Sequence, residues 1–340
     1  MNLPRLFLAT LAATTFLANS ASADGVVNVY SYRQPQLVEP LFKAFAEKTG
    51  IEIKMVFAEK GLVERMEQEA SLSPVDVLLT ADVGKLVDAA DKGLAQPLHS
   101  DTISSKIPAA LRDASEQWFG LTMRARVVYA SKDRVAQAEM SYEDLADPKF
   151  KGKICIRPGD HPYNLGLVGA MIARRGEAET KTWLEGLKAN LAHKPNGNDR
   201  AQAKSISAGE CDLAIANTYY MGLMQTNEKE PEQKDWAAAS RIIFPASPAM
   251  GTHVNISGML LAKNAPNKDN AIKFMEYLAS DEAQELYASQ NFEYPVNPKV
   301  AASEVVKAWG NFVPDTLNVV EIAKNQKAAA KLVDEVQFNN

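Results

Sequence analysis

Past residue 24 the chain alternates short apolar runs with amphipathic stretches. Val26-Val-Asn-Val-Tyr30 reads as a strand, and Leu37, Leu41, Phe42 and Phe45 then recur at helical spacing until Gly50 stops the helix. Residues 51–57 alternate as a second strand, 62–70 read as a helix, and Val75-Asp-Val-Leu-Leu-Thr80 reads as a third strand. A helix over 83–92 follows and ends at Gly93. Strands separated by helices predict parallel α/β units.

The run Trp118-Phe-Gly-Leu-Thr-Met-Arg-Ala-Arg-Val-Val-Tyr129 is long, apolar and extended, and it is expected to make the first crossing between two lobes. A second α/β set follows, with a strand around Ile154, helices over 164–174 and 179–189, and a strand over 213–216. The polar stretch 227–235 reads as a surface loop. The runs 242–245 and 252–261 are expected to be strands returning to the first lobe. Amphipathic helices over 269–278 and 282–289 come next, and the last 40 residues are helical in pattern. The predicted fold class is therefore α/β, in two lobes with a ligand cleft between them. The first lobe is expected to hold residues 24–123 plus about 250–291, and the second 124–249 plus about 292–340. Sheets of this kind bind ligands outside the carboxyl ends of their parallel strands. Crevices between domains are also favoured small-molecule sites.

Residues 1–23 change the picture. Arg5, an apolar stretch over 6–18 and the small residues Ala21-Ser-Ala23 have the three parts of a signal peptide, so export to the periplasm is expected. About 317 residues then remain, more than one core usually organises. In an oxidising compartment the even pair Cys155 and Cys211 favours a disulfide tying two strands; free buried thiols are the alternative. The 37 basic and 42 acidic residues are interspersed, which argues against a nucleic-acid surface. No later run of about 18 apolar residues occurs, so stable membrane insertion is not expected.

Enzyme chemistry has little support. The chain lacks a Gly-x-Ser-x-Gly elbow, a phosphate loop and a dinucleotide fingerprint, and none of its four histidines forms a zinc-type pair. His161 reads as a surface residue of a turn. Three tyrosines stand out instead. Tyr163 lies in Pro158-Gly-Asp-His-Pro-Tyr-Asn-Leu-Gly, between a strand and a helix, and Tyr219 and Tyr220 follow the apolar strand 213–216. Both places fall at the ligand-facing edge of a parallel sheet. A phenolate is a hard oxygen ligand, and a trivalent cation would stabilise it strongly. The competing interpretation is that each ring packs and each hydroxyl finds an ordinary hydrogen bond. Arg33 follows the first strand, while Arg124 and Arg126 share one face of the crossing strand. A guanidinium and the adjacent helix start suit a carboxylate or carbonate, although Arg126 is expected in an ion pair between lobes.

The stretches 27–35, 76–80, 120–127, 161–165, 216–222 and 251–258 together resemble the periplasmic ferric-iron-binding proteins of bacterial ABC importers. They run in order over most of the chain. The resemblance implies a two-lobe periplasmic binding-protein fold, type II-like, in a monomer that carries Fe3+ to an inner-membrane ABC permease. It makes Tyr163, Tyr219 and Tyr220 the iron ligands. Some members add a His-Tyr pair after the first strand; here Gln34 and Pro35 stand at those places. The chain is thus similar to the three-tyrosine subgroup, which completes the shell with carbonate or a similar synergistic anion. Arg33, Gln34 and Arg124 are the residues implied for that anion, with Tyr32 left outside. The alternative function is a protein of the same fold that binds an organic anion or a polyamine.

Overall fold

The computed structural model describes residues 25–340. The signal peptide expected at residues 1–23 lies outside the described residues. Among the described residues nine strands form one hydrogen-bonded sheet: β1 (Val26–Ser31), β2 (Glu52–Phe57), β3 (Val77–Thr80), β4 (Phe119–Ser131), β5 (Ile154–Cys155), β6 (Leu213–Asn217), β7 (Ser240–Ile243), β8 (Val254–Leu261) and β9 (Tyr294–Pro295). Their order is β2-β1-β3-β8-β4-β6-β5, with β7 and β9 also paired to β4.

Burial follows position in this order. Every residue of β3 is buried, as a strand covered on both faces requires, whereas β2, at the edge, alternates between exposed and half-buried. The β1–β2, β1–β3 and β5–β6 pairs are parallel, and β8 runs antiparallel between β3 and β4. β4 has 13 residues, about 43 Å at roughly 3.3 Å per residue, enough to serve both lobes. Its start pairs with β8 from Phe119 to Ala125, and its end pairs with β6 from Arg126 to Ala130. The crossing expected in this run is therefore present. The expected return of 242–245 to the first lobe is not. β7 pairs only with Val128–Ser131, the far end of β4, because a four-residue strand cannot span both halves.

The first-lobe core forms where the stripe Val38, Leu41, Phe42 and Phe45 of the helix Pro35–Thr49 meets Val27, Val29, Val77 and Phe274. Phe42 and Phe45 meet Phe274 edge-on, at 5.5 and 5.1 Å between centroids. Each ring buried this way contributes roughly 1.5–3 kcal/mol. Leu167, Met171, Trp183, Leu187, Leu213 and Val333 belong to a second cluster, which extends to Tyr30, Leu78 and Leu260 of β1, β3 and β8. The helix Gln326–Glu335 lies on the helices Pro162–Arg175 and Glu177–Ala189, while Val319–Lys324 sits between Pro162–Arg175 and the first-lobe helix Val83–Asp91. Cys155 and Cys211 are joined, with S–S 2.06 Å and Cα atoms 5.9 Å apart. Among the described residues no helix is long and apolar enough to cross a membrane.

Candidate metal and anion site

Local sequence builds the tyrosine cluster. The helix Pro162–Arg175 opens with Pro at its first position and His161 as its cap, whose Nδ1 accepts from the Tyr163 amide at 3.2 Å. Tyr163 thus sits in the first turn. Asn164, buried beside it, donates to the carbonyls of Arg157 and Pro158 at 3.0 Å each, fastening the loop to the end of β5. Across the sheet, β6 runs straight into the helix Thr218–Gln225, which puts Tyr219 and Tyr220 in its first turn. Their rings stack at 4.2 Å and 30°. The hydroxyls of Tyr163 and Tyr219 lie 3.1 Å apart. Three phenols from the first turns of two helices therefore meet at the carboxyl ends of the parallel pair β5–β6.

Beneath them lies a buried charge network. Asp199, wholly buried, accepts from Arg126 at 2.7 Å, from Arg157 at 3.1 Å and from the Asn217 amide at 2.8 Å. Arg126 also donates to Asn217, Asn164 and the Ile215 carbonyl. Burial alone would raise the Asp199 carboxyl, but the two guanidiniums outweigh it and hold the group below its ordinary range. One carboxylate faces two cations here, so positive charge is in excess. The guanidinium carbons of Arg157, Arg124 and Arg126 stand 5.1, 5.5 and 5.9 Å from the centre of the Tyr163 ring, and Arg200 stands 5.0 Å from that of Tyr220.

Burial, followed by the neighbouring phenols, pushes Tyr219 well above the ordinary tyrosine range, and burial and Tyr163 raise Tyr220 in the same direction. Those phenols keep their protons at neutral pH unless a strongly charged cation displaces them. His161 departs from expectation. It is half-buried against Tyr163, with centroids 4.6 Å apart, and burial together with Arg157 and Arg126 lowers it to about 3. A turn histidine at the surface would titrate freely; this one stays neutral.

The three residues implied for an anion differ among themselves. Arg124 lies over the Tyr163 ring, donates through Nη2 to the Ala81 carbonyl, and keeps a buried Nη1 that has no partner among the described residues. Arg33 is buried in the first lobe with its Nη2 3.2 Å from Glu293, a residue of no exposure. Burial opposes its charge, the Glu293 carboxylate more than restores it, and the net effect is upward. Gln34 is exposed and accepts from the Gln36 amide group at 2.7 Å. Tyr32 points elsewhere, its hydroxyl accepting from the Val63 amide.

Arg157, Asp199, Arg200 and Glu293 surround these groups and escaped the sequence reading. Arg157 carried a usable signal, since it directly follows the strand-like run Ile154-Cys-Ile and precedes the Tyr163 loop. Glu293 carried none, because its partner is 260 residues away. Among the described residues no group of three or more His, Cys, Asp or Glu side chains is arranged to hold a metal. The convergent oxygens are phenolic.

Residues 40–314 match the model of the family described as bacterial extracellular solute-binding protein. The chain is 43% identical to iron uptake protein A2 of Synechocystis over 97% of its length and 94% of that protein. It is similar to the structure of the apo ferric ion-binding protein A of Pasteurella haemolytica, with 52% identity and TM-score 0.89 over 93% of this chain and 98% of that one. A Trichodesmium protein (IdiA, FutA) in complex with iron and citrate ligands matches at 41% identity and TM-score 0.87, over 92% of this chain and all of that one.

Proposed function

The chain belongs to the bacterial extracellular solute-binding proteins, and we propose that it captures ferric iron in the periplasm and delivers it to an ABC permease. The meeting of Tyr163, Tyr219 and Tyr220, with two hydroxyls 3.1 Å apart, carries this proposal. The names of its relatives, an iron uptake protein and ferric ion-binding proteins, support it. In this reading the first lobe is 24–123 with about 250–291, the second is 124–249 with about 292–340, and the ion enters between them.

Three phenolates neutralise a trivalent ion, and hard oxygen donors suit it better than ferrous iron. Binding expels the phenolic protons, so acid or reduction favours release. The surrounding guanidiniums still leave positive charge in excess, which calls for an accompanying anion. Arg124, with its idle Nη1, is the first holder; Arg33 and Gln34 complete the set. Carbonate fits that role, as does a carboxylate such as citrate.

The test is direct. Apo-protein given ferric citrate should develop a phenolate-to-iron visible band together with stoichiometric iron by metal analysis. A Tyr219→Phe, Tyr220→Phe double variant that kept the band would overturn the ligand assignment. The guanidiniums around Tyr163 also favour an organic anion as sole cargo; a colourless, metal-free complex would select that function.

A further inference from the structure

The helix Asp281–Asn291 of the first lobe ends on Phe292, whose φ of 56° and ψ of 31° are left-handed. Glycine usually takes that position, because a Cβ is strained there, and asparagine is the usual exception because its short polar side chain can hydrogen-bond locally. Phe292 is also buried, so its conformation serves a packing purpose. The left-handed turn sends two consecutive side chains to opposite sides of the cleft.

Phe292 goes to the tyrosine side. It lies against Gly222 of the helix Thr218–Gln225, so closely that a Cβ at 222 would stand 2.3 Å from the Phe292 Cγ. Residues 219 and 222 are three apart on a helix and share a face. Phe292 accordingly clusters with Tyr219 and Val306, and Tyr220 packs on the same group. Glu293 goes the other way. Its carboxylate holds Arg33 at 3.2 Å and accepts from the Thr122 hydroxyl, while the Arg33 amide is tied to the Ser31 hydroxyl at 3.0 Å. The next two residues, Tyr294 and Pro295, are locked to Met123 and Thr122 of β4.

We propose that Phe292–Glu293 is a positioning element that couples the seating of Tyr219 and Tyr220 to the presentation of Arg33. The inference rests on the ferric-iron reading of the tyrosines. The physical basis is one peptide unit. The tyrosine helix cannot shift against Phe292 without displacing the backbone from which Glu293 grips Arg33. Gly222 is the contact that admits Phe292, so residue 222 acts on the site without touching the cargo.

The experiment compares wild type, Gly222→Ala, Phe292→Ala and the double variant, each loaded with ferric iron in bicarbonate buffer. Iron loss to excess EDTA and the bicarbonate concentration needed for retention are read through the visible band, beside thermal melts. Gly222→Ala should lose iron about tenfold faster and need more bicarbonate, and adding Phe292→Ala should bring the loss back to the smaller increase that Phe292→Ala causes alone. Glu293→Gln should move the bicarbonate requirement while leaving the band in place. A Phe292 that only fills space would change the melt alone. Unchanged iron loss and bicarbonate dependence in Gly222→Ala, or a double variant no better than Gly222→Ala, would sink the coupling. Should Gly222→Ala not fold, Phe292→Ala applies the same test from the other side, with faster loss expected and unchanged loss refuting it. A wild type without any band would instead mean that the iron reading itself has failed.

Discussion

Arg124 and Arg126 stand two residues apart on one face of β4, and they lead different lives. Arg126, opposite Asn217 of β6, donates to a carboxylate, two side-chain amides and a carbonyl. Arg124, opposite Asn255 of β8, has the Ala81 carbonyl and an idle nitrogen. The strand changes partner between them, and with it the work of the arginine. Each has one buried nitrogen without a partner among the described residues, but in Arg126 it is the Nε, with both terminal nitrogens taken by the protein, whereas in Arg124 it is the terminal Nη1, the nitrogen a forked contact to a solute would use. The same contrast separates the two sides of the cleft. The tyrosine side stands on an internal charge network, and the other side presents cations with fewer obligations.

The largest effect should come from breaking that network. Asp199→Ala would strand Arg126 and Arg157 as uncompensated buried charges, and the expected loss is about 3–5 kcal/mol in urea unfolding. A midpoint equal to wild type would remove the contrast. The tyrosine side also carries a covalent tie between β5 and the entry to β6. Cys155 and Cys211 are 56 residues apart, so a Cys155→Ala, Cys211→Ala variant should lose about 4 kcal/mol in the chain-entropy model. Melting of that variant under non-reducing conditions checks the figure, and a Tm within a degree of wild type would contradict it.

The sequence disclosed what local pattern controls. Periodicity placed β1 to β3, the length of β4 marked it as the crossing, and the ends of apolar runs put Tyr163, Tyr219 and Tyr220 at one edge of a sheet. It was silent about pairings between distant segments. Nothing near Arg33 announces Glu293, and Asp199 reads locally as an ordinary first-turn acid although it organises two buried arginines. The pairing of β7 with the far end of β4, rather than with the strands near β8, was equally hidden, because a strand of four residues carries no label for its partner. His161 was misjudged for a related reason: a turn is usually exposed, and only tertiary packing brings Tyr163 and Arg157 onto it.

His253 offers a smaller test lying between the two arginines. It is 2% exposed, and burial followed by Arg126 and Arg124 lowers it to about 3. The unfolded chain takes this proton near pH 6.5 while the folded chain refuses it until about 3, so stability is complete above 6.5 and falls as the pH drops. By pH 5 the loss from this group is about 2 kcal/mol. His161 adds to the slope with the same sign, whereas Asp199 begins to contribute only below its ordinary range near 3.9. His253→Asn should therefore flatten unfolding free energy between pH 7 and 5 by that amount. An unchanged slope would mean that burial and the two arginines do not hold His253 neutral.

The smallest change in stability should come from Arg124→Gln, and it sharpens the comparison most. The side chain gives up its bond to Ala81 and its place over the Tyr163 ring, about 1 kcal/mol together. Arg126→Gln, by contrast, should cost about 3–5 kcal/mol, because Asp199 loses one of its two cations. Their order should reverse for the cargo. Arg124→Gln removes the available donor, so ferric retention should lose most of its dependence on bicarbonate while the phenolate band survives in a folded protein. A stability loss as large as that of Arg126→Gln, with bicarbonate dependence intact, would make Arg124 part of the scaffold after all and move the anion to Arg33.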